Sequence, residues 1–193
     1  MKRVVVFSFL IMFTSLLSAS TVVVIDENGD ELKVKGNFPT IGQKAPTVRV
    51  VSTDMSVKTI GGKSDKIRII ATVPTVDTPI CTEESKRFDN EIKKISNVDM
   101  TVVSMDPPYS DDRFCEGRGI KNISVGSDFE HRDVGSKYGV VITAGESEGL
   151  LIRSIFVIGK DGKVLYEEIV SELTLHPNYD NVMNVIKMAN SKK

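Results

Sequence analysis

The stretch that decides the fold runs Lys66-Ile67-Arg68-Ile69-Ile70-Ala71-Thr72-Val73-Pro74-Thr75-Val76-Asp77-Thr78-Pro79-Ile80-Cys81. Its first half, residues 66–73, is mostly apolar and is typical of a buried strand. From Ile80 to about Ile95, apolar residues recur at spacings of three and four, which predicts an amphipathic helix. Cys81 therefore lies in the first turn of a helix, at the carboxyl end of a core strand. In α/β folds that is where ligands bind.

The rest of the chain predicts a mixed sheet with helices on both faces, preceded by an N-terminal β-hairpin. The hairpin is indicated by Asn28-Gly29 between two β-prone runs. The pattern predicts strands over residues 21–25, 31–36, 47–51, 57–60, 66–73, 99–105, 123–126, 151–158 and 163–170, and helices over residues 80–95, 110–117, 130–138 and 178–189.

Length and composition indicate an ordinary globular protein. The chain has 193 residues, a formal net charge of −1, 40% hydrophobic residues and 26% charged residues. This length suggests one domain with extra segments. Because the chain has no strongly basic stripe, we do not expect it to bind nucleic acid.

The first twenty residues have the pattern of a secretory signal peptide. Lys2 and Arg3 precede an apolar run over residues 4–17, and Ser18-Ala19-Ser20 supplies small residues for cleavage. We expect a mature domain over residues 21–193, exported to the bacterial periplasm and not stably associated with the membrane after cleavage. The alternative is an uncleaved N-terminal anchor.

The mature chain has two cysteines, Cys81 and Cys115. In an oxidising compartment, an even number of cysteines suggests a disulfide. Composition alone favours a structural bridge over a working redox pair. Two cysteines are too few for a metal site, and His131 and His176 are too scattered to add ligands. We therefore expect neither a metal nor another cofactor.

The surroundings of Cys81 indicate a reactive thiol. Proline favours the first helical position, which places Pro79 at N1, Thr78 at the N-cap and Cys81 at N3. The sulfur would then lie near the free N–H groups and the positive end of the helix dipole, which favours the thiolate. Asp77 is an alternative cap. The adjacent Glu83 and Glu84 oppose a thiolate if they point inward.

Arg153 is the candidate cation that outweighs these acids. It interrupts the apolar run over residues 150–158, and an arginine is costly to bury unless it is paired. The alternative is a structural arginine that reaches solvent or meets a carboxylate. Cys115 lies in a predicted short polar helix and lacks the proline and threonine that come just before Cys81. We therefore interpret it as the partner of Cys81 and not as the primary nucleophile. The spacing of the two cysteines excludes a C-x-x-C motif.

These motifs resemble the thiol peroxidases, a subfamily of the peroxiredoxins. The motif Pro74-x-x-x-Thr78-x-x-Cys81 is similar to the peroxiredoxin active-site signature. The segment Arg113-Phe114-Cys115, continuing to residues 119–122, resembles the region of the resolving cysteine. Arg153 matches the position of the family arginine. The resemblance extends from about residue 21 to the C-terminus.

The resemblance implies a thioredoxin-like fold and an atypical two-cysteine peroxiredoxin that reduces hydrogen peroxide and organic hydroperoxides. It implies a peroxidatic Cys81 and a resolving Cys115, joined in an intramolecular disulfide during each cycle. Thr78 and Arg153 would hold the thiolate and polarise the peroxide, and Pro74 would shield the site from water.

The resemblance also implies a thioredoxin-like dithiol reductant and a homodimer. Many relatives are intracellular. If this chain is exported, the thioredoxin that usually reduces the family is in question as its reductant. Two alternatives stay open at this point. One is a non-enzymatic thioredoxin-fold binding protein with a static disulfide. The other is a general thiol–disulfide exchanger, which the lack of C-x-x-C disfavours.

Overall fold

The structure is a computed structural model that describes residues 23–191. The predicted signal peptide lies outside the described residues, so the domain boundary at residue 21 stays a prediction. Between residues 23 and 191, no helix combines the length and the apolar character needed to cross a membrane.

The described residues form ten strands and four helices. In chain order they are β1 (Val24–Ile25), β2 (Glu31–Val34), β3 (Val48–Ser52), β4 (Val57–Ile60), β5 (Ile67–Thr72), α1 (Pro79–Ile92), β6 (Val98–Ser104), α2 (Pro108–Arg118), β7 (Ser124–Ser127), α3 (Asp133–Lys137), β8 (Ile142–Ala144), β9 (Ser154–Ile158), β10 (Val164–Ile169) and α4 (Tyr179–Ser191).

Seven strands form a mixed sheet in the order β10-β9-β5-β6-β7-β3-β4. Strands β5, β6 and β7 run parallel, whereas β9 is antiparallel to β5. The second sheet has the order β1-β2-β8 and contains the predicted N-terminal hairpin, in which Val24 pairs with Leu32. The predicted fold class is therefore confirmed.

The structure differs from the sequence predictions at several elements, and the helix predicted over residues 80–95 ends at Ile92. Strand β8 was not predicted, because its three residues are too few to show a period. The predicted helix over residues 130–138 begins only at Asp133, since Arg132 has a left-handed backbone with φ of 53°. The predicted strand over residues 151–158 begins at Ser154, although the residues before it are also buried.

Both faces of the large sheet are covered. Alternate residues of β5 point to opposite faces, so Ile69 belongs to one hydrophobic cluster and Ile70 to the other. The first cluster includes apolar residues of α1, α2 and α4, and the second includes residues of α3 and the small sheet.

Strand pairing also explains how the site is assembled. Because β9 is antiparallel to β5, its first residue, Ser154, pairs with the last residue of β5, Thr72. The Thr72 hydroxyl lies 2.7 Å from the carbonyl oxygen of Ile152 and 2.6 Å from Oγ of Ser154. This pairing places Arg153 at the carboxyl end of β5, beside the amino end of α1.

Candidate active site

The first turn of α1 has the predicted geometry. Thr78 is the N-cap, with an extended backbone at φ −80° and ψ 152°, and Pro79 is the first helical residue. The Cys81 N–H donates to Oγ1 of Thr78 at 3.3 Å. Cys81 is only 1% exposed, so its sulfur is held in the first turn and away from bulk water.

Arg153 brings a cation to the sulfur, as expected from the sequence. A terminal N–H of its guanidinium donates to Sγ of Cys81 at 3.3 Å, although the two residues are 72 positions apart. The same nitrogen donates to the carbonyl oxygen of Leu173 at 3.0 Å. Arg153 is 1% exposed, so both contacts lie in an environment that strengthens electrostatic interactions.

Glu84 holds the other terminal nitrogen of Arg153 in a buried ion pair. The sequence left two interpretations of Arg153 open, a cation for the Cys81 sulfur and a structural arginine paired with a carboxylate. In the structure Arg153 makes both contacts. Sequence reasoning treated Glu84 only as an opponent of the thiolate and missed this role. The available signal was its spacing, since Glu84 lies three residues after Cys81 on the same face of α1.

Asp106 fixes the loop that precedes Cys81. Its carboxylate accepts from the N–H of Val76 at 2.7 Å and from the hydroxyl of Thr75 at 3.0 Å. Pro74 begins this loop and is half-buried. Sequence reasoning did not assign Asp106, although its position directly after β6, the parallel neighbour of β5, predicts that it lies near the loop.

Cys115 lies in α2 and is half-buried. Its side chain packs against the hydrophobic cluster that also contains Cys81. Both cysteines are free thiols in this structure. The disulfide between them therefore stays a prediction.

Comparisons with known proteins identify the family. Residues 40–183 match the Redoxin family model. The chain is 43% identical to a thiol peroxidase of Aquifex aeolicus over 84% of this chain and 96% of that protein. It is also 43% identical to a thiol peroxidase of Campylobacter jejuni over 80% of this chain and 87% of that protein. The chain belongs to the thiol peroxidases of the peroxiredoxin family.

Solved structures agree with this assignment. The chain superposes on a peroxiredoxin-like protein from Aquifex aeolicus with a TM-score of 0.84 and 42% identity, covering 88% of this chain and 98% of that one. A thiol peroxidase from Chromobacterium violaceum gives a TM-score of 0.79 at 21% identity, covering 90% and 100%, and supports the fold alone. The curated thiol peroxidases at 43% identity show that the chain is an oxidoreductase, which decides against the non-enzymatic binding protein.

Burial and neighbouring charges act in opposite directions on Glu84 and Arg153. Burial raises the pKa of Glu84 to about 7, although the attraction of Arg153 opposes the rise. For Arg153, burial disfavours the charge, but Glu84 and Cys81 outweigh it and hold the pKa above its ordinary value. The guanidinium is therefore charged, and its attraction favours the ionised form of Glu84 against the cost of burial.

We expect Glu84→Ala to lower the free energy of unfolding by about 3–5 kcal/mol, because it leaves the buried guanidinium without its ion-pair partner. Glu83→Ala is the matched control. The Glu83 side chain is 74% exposed and lies 3.5 Å from His176, so its loss should cost less than about 1 kcal/mol. Denaturant unfolding of both variants measures the difference, and equal losses would contradict a structural role of the buried pair.

The environment of Cys115 differs from that of Cys81. Burial, followed by the negative charges of Asp111 and Asp112, raises the pKa of Cys115 to about 11. A thiol in this environment is a poor nucleophile at neutral pH. Cys115 therefore has to leave its position in α2 to become reactive.

Proposed function

We propose that this thiol peroxidase reduces hydrogen peroxide and organic hydroperoxides with Cys81 as the peroxidatic residue. The observation that carries the proposal is the hydrogen bond from the buried guanidinium of Arg153 to Sγ of Cys81. A static disulfide needs no such donor. Glu84 and the Leu173 carbonyl hold the guanidinium in place from two other directions.

In the first step, the Cys81 thiolate attacks one oxygen of the peroxide. The O–O bond breaks, and Cys81 becomes a sulfenic acid while hydroxide or alkoxide leaves. Arg153 and the N–H groups of the first turn of α1 stabilise the charge as it moves from sulfur to the leaving oxygen. Pro74 and the loop fixed by Asp106 keep bulk water from the sulfur.

Thr78 is the second donor in this proposal. Its oxygen accepts from the Cys81 N–H, which leaves the hydroxyl proton free to donate to the thiolate or the peroxide. We expect Thr78→Val to lower kcat/KM for hydrogen peroxide by about 10²-fold, the effect of removing one donor from a transition state. Thr78→Ser keeps the hydroxyl and should restore most of the rate. A serine variant as slow as the valine variant would contradict this role.

In the second step, Cys115 attacks the sulfur of the Cys81 sulfenic acid. The S–O bond breaks and a Cys81–Cys115 disulfide forms, and the thiol proton of Cys115 leaves with the hydroxide as water. A thioredoxin-like dithiol donor then returns both thiols by exchange. We propose that the first turn of α1 and helix α2 unwind locally during this step, because Cys81 is buried and Cys115 is a poor nucleophile in place.

One equivalent of hydrogen peroxide, added to the reduced protein without a reductant, tests the proposal. We expect the loss of two thiols for each peroxide and a single peptide pair joined through Cys81 and Cys115, as mapped by mass spectrometry. Peroxide consumption should then require a dithiol donor. A disulfide between two chains, or peroxide loss with both thiols intact, would overturn the scheme.

We further propose that residues 1–20 direct export and that the mature enzyme is a homodimer. The first proposal is supported by the sequence pattern and the second by the family resemblance. Cell fractionation with N-terminal sequencing of the mature protein tests export, and a full-length chain retained in the cytoplasm would overturn it. Sedimentation of the purified protein tests the dimer, and a monomer at micromolar concentration would overturn it.

A further inference from the structure

Helix α2 contains a buried acid that the mechanism above does not use. Asp111 is 0% exposed, and within the described chain neither oxygen of its carboxylate has a hydrogen-bond partner. It lies four residues before Cys115, so both side chains are on the same face of α2. Because a buried carboxylate without partners is costly, Asp111 destabilises the helical conformation that buries it.

The charged groups around this face increase the cost. Asp106, from the loop after β6, adds negative charge to the surroundings of Asp111. Asp89 of α1 and Asp112 of α2 act on Cys115 in the same direction. Strand β7, which packs against α2, has the sequence Ser-Val-Gly-Ser and brings no titratable side chain.

The arginines of α2 do not neutralise Asp111. Arg113 donates to the Ser110 hydroxyl at 3.3 Å. Arg118 lies 3.8 Å from the carboxylate of Asp77, in the loop before α1. Both arginines are exposed, so neither pairs with Asp111 on the buried face of α2.

The amino end of α2 is the end that suits local unwinding, because its N-cap is Pro107, which makes no side-chain capping bond. The carboxyl end is held more firmly. There Gly119 ends the helix in a left-handed conformation with φ of 70°, and the backbone N–H groups of this cap bond to the last carbonyl groups of the helix. Beyond it, the Asp89 carboxylate accepts from the N–H groups of Lys121 and Asn122 at 2.8 and 2.5 Å. This anchor holds the segment that follows α2, so unwinding of α2 need not extend beyond its carboxyl end.

We propose that Asp111 is a positioning residue for disulfide formation, because its unpaired burial favours the unwinding of α2 that delivers Cys115 to oxidised Cys81. The inference rests on the resolving role proposed above for Cys115. Asp111 acts through the helix and does not touch the reacting sulfur atoms.

The proposal predicts a direction of pH dependence. Burial, reinforced by Asp106, raises the pKa of Asp111 to about 8 in the folded helix. In an unwound segment the pKa returns to about 3.9. The folded helix therefore binds more protons between these values, so unwinding becomes more favourable as pH rises from about 4 to about 8.

Hydrogen exchange of the α2 amides in the reduced protein measures this unwinding directly. At pH 8 we expect Asp111→Asn to slow exchange by at least tenfold, because the pKa of Asp111 falls by more than one unit when the helix unwinds. Asp112→Asn is the matched control, since Asp112 is the exposed neighbour and carries the same charge. It should leave protection close to wild type. Below about pH 4, where Asp111 is protonated in both conformations, the wild type and Asp111→Asn should converge.

A second readout follows disulfide formation after one equivalent of peroxide. Asp111→Asn should slow the loss of the second thiol while leaving oxidation of Cys81 unchanged. Asp111→Leu, which leaves no buried polar group, should act in the same direction. Wild-type protection in both Asp111 variants, or an equal effect of Asp112→Asn, would overturn the proposal. If instead the wild type forms no Cys81–Cys115 disulfide, the resolving role of Cys115 fails, while the exchange result still reports on Asp111.

Discussion

Replacing Cys81 with serine is expected to abolish peroxide turnover. The reaction needs a thiolate that attacks oxygen and is itself oxidised, and a serine hydroxyl does neither at neutral pH. The loss of turnover should be complete, because the other residues of the site only orient groups and stabilise charge. None of them supplies the electrons that reduce the peroxide. Peroxide consumption with a dithiol reductant measures it.

Cys115→Ser is the matched control for this prediction. It removes the other cysteine but leaves Cys81, Thr78 and Arg153 in place, so the first step should proceed. We expect a single-turnover burst that consumes one equivalent of peroxide and then stops, unless an external thiol reduces the sulfenic acid. Full activity of Cys81→Ser would contradict the assignment, as would the absence of a burst in Cys115→Ser.

Arg153→Lys is expected to lower kcat/KM by about 10³-fold, at the upper end of what one preorganised donor contributes. Lysine keeps the charge but not the planar fork of donors. Arg153 uses that fork to reach Glu84 with one nitrogen and Cys81 with another, while also donating to Leu173. A single ammonium group cannot make these contacts with the same geometry. Steady-state kinetics at several peroxide concentrations measures the loss.

Loss of activity must be separated from loss of folding, because Arg153 and Glu84 are both buried. Replacing both charges with apolar residues of similar size is often neutral or stabilising. The double variant Arg153→Met/Glu84→Leu should therefore unfold at a denaturant concentration near that of the wild type, yet lose as much activity as Arg153→Lys or more. A folded double variant with wild-type kcat/KM would show that the guanidinium is not part of the chemistry.

The first turn of α1 was predictable from sequence because its signals are local. Proline at N1, threonine at the N-cap and cysteine at N3 are set by backbone geometry within four residues. The helix boundary at Pro79 and the hydrogen bond from Cys81 to Thr78 follow from that pattern alone. Arg153 was also predictable, because an arginine in an apolar run is costly to bury without a partner.

What sequence reasoning missed depends on pairing between distant elements. Glu84 and Glu83 are adjacent and chemically alike, and only the packing of α1 on the sheet decides that Glu84 is buried against Arg153. From sequence, Asp106 is only the start of a loop after a predicted strand. The parallel pairing of β5 with β6 places it against the loop before Cys81. In the same way, Asp111 belongs to a stretch predicted to be a short polar helix, and its sequence does not show which of its acids is buried.

The central claim is that peroxide oxidises the sulfur of Cys81, and trapping the sulfenic acid tests it most directly. The Cys115→Ser variant is treated with one equivalent of hydrogen peroxide in the presence of a 1,3-diketone, which reacts with sulfenic acids, and is then digested for mass spectrometry. The account predicts a single adduct, on the peptide that contains Cys81. Peroxide consumption without an adduct on that peptide would contradict it.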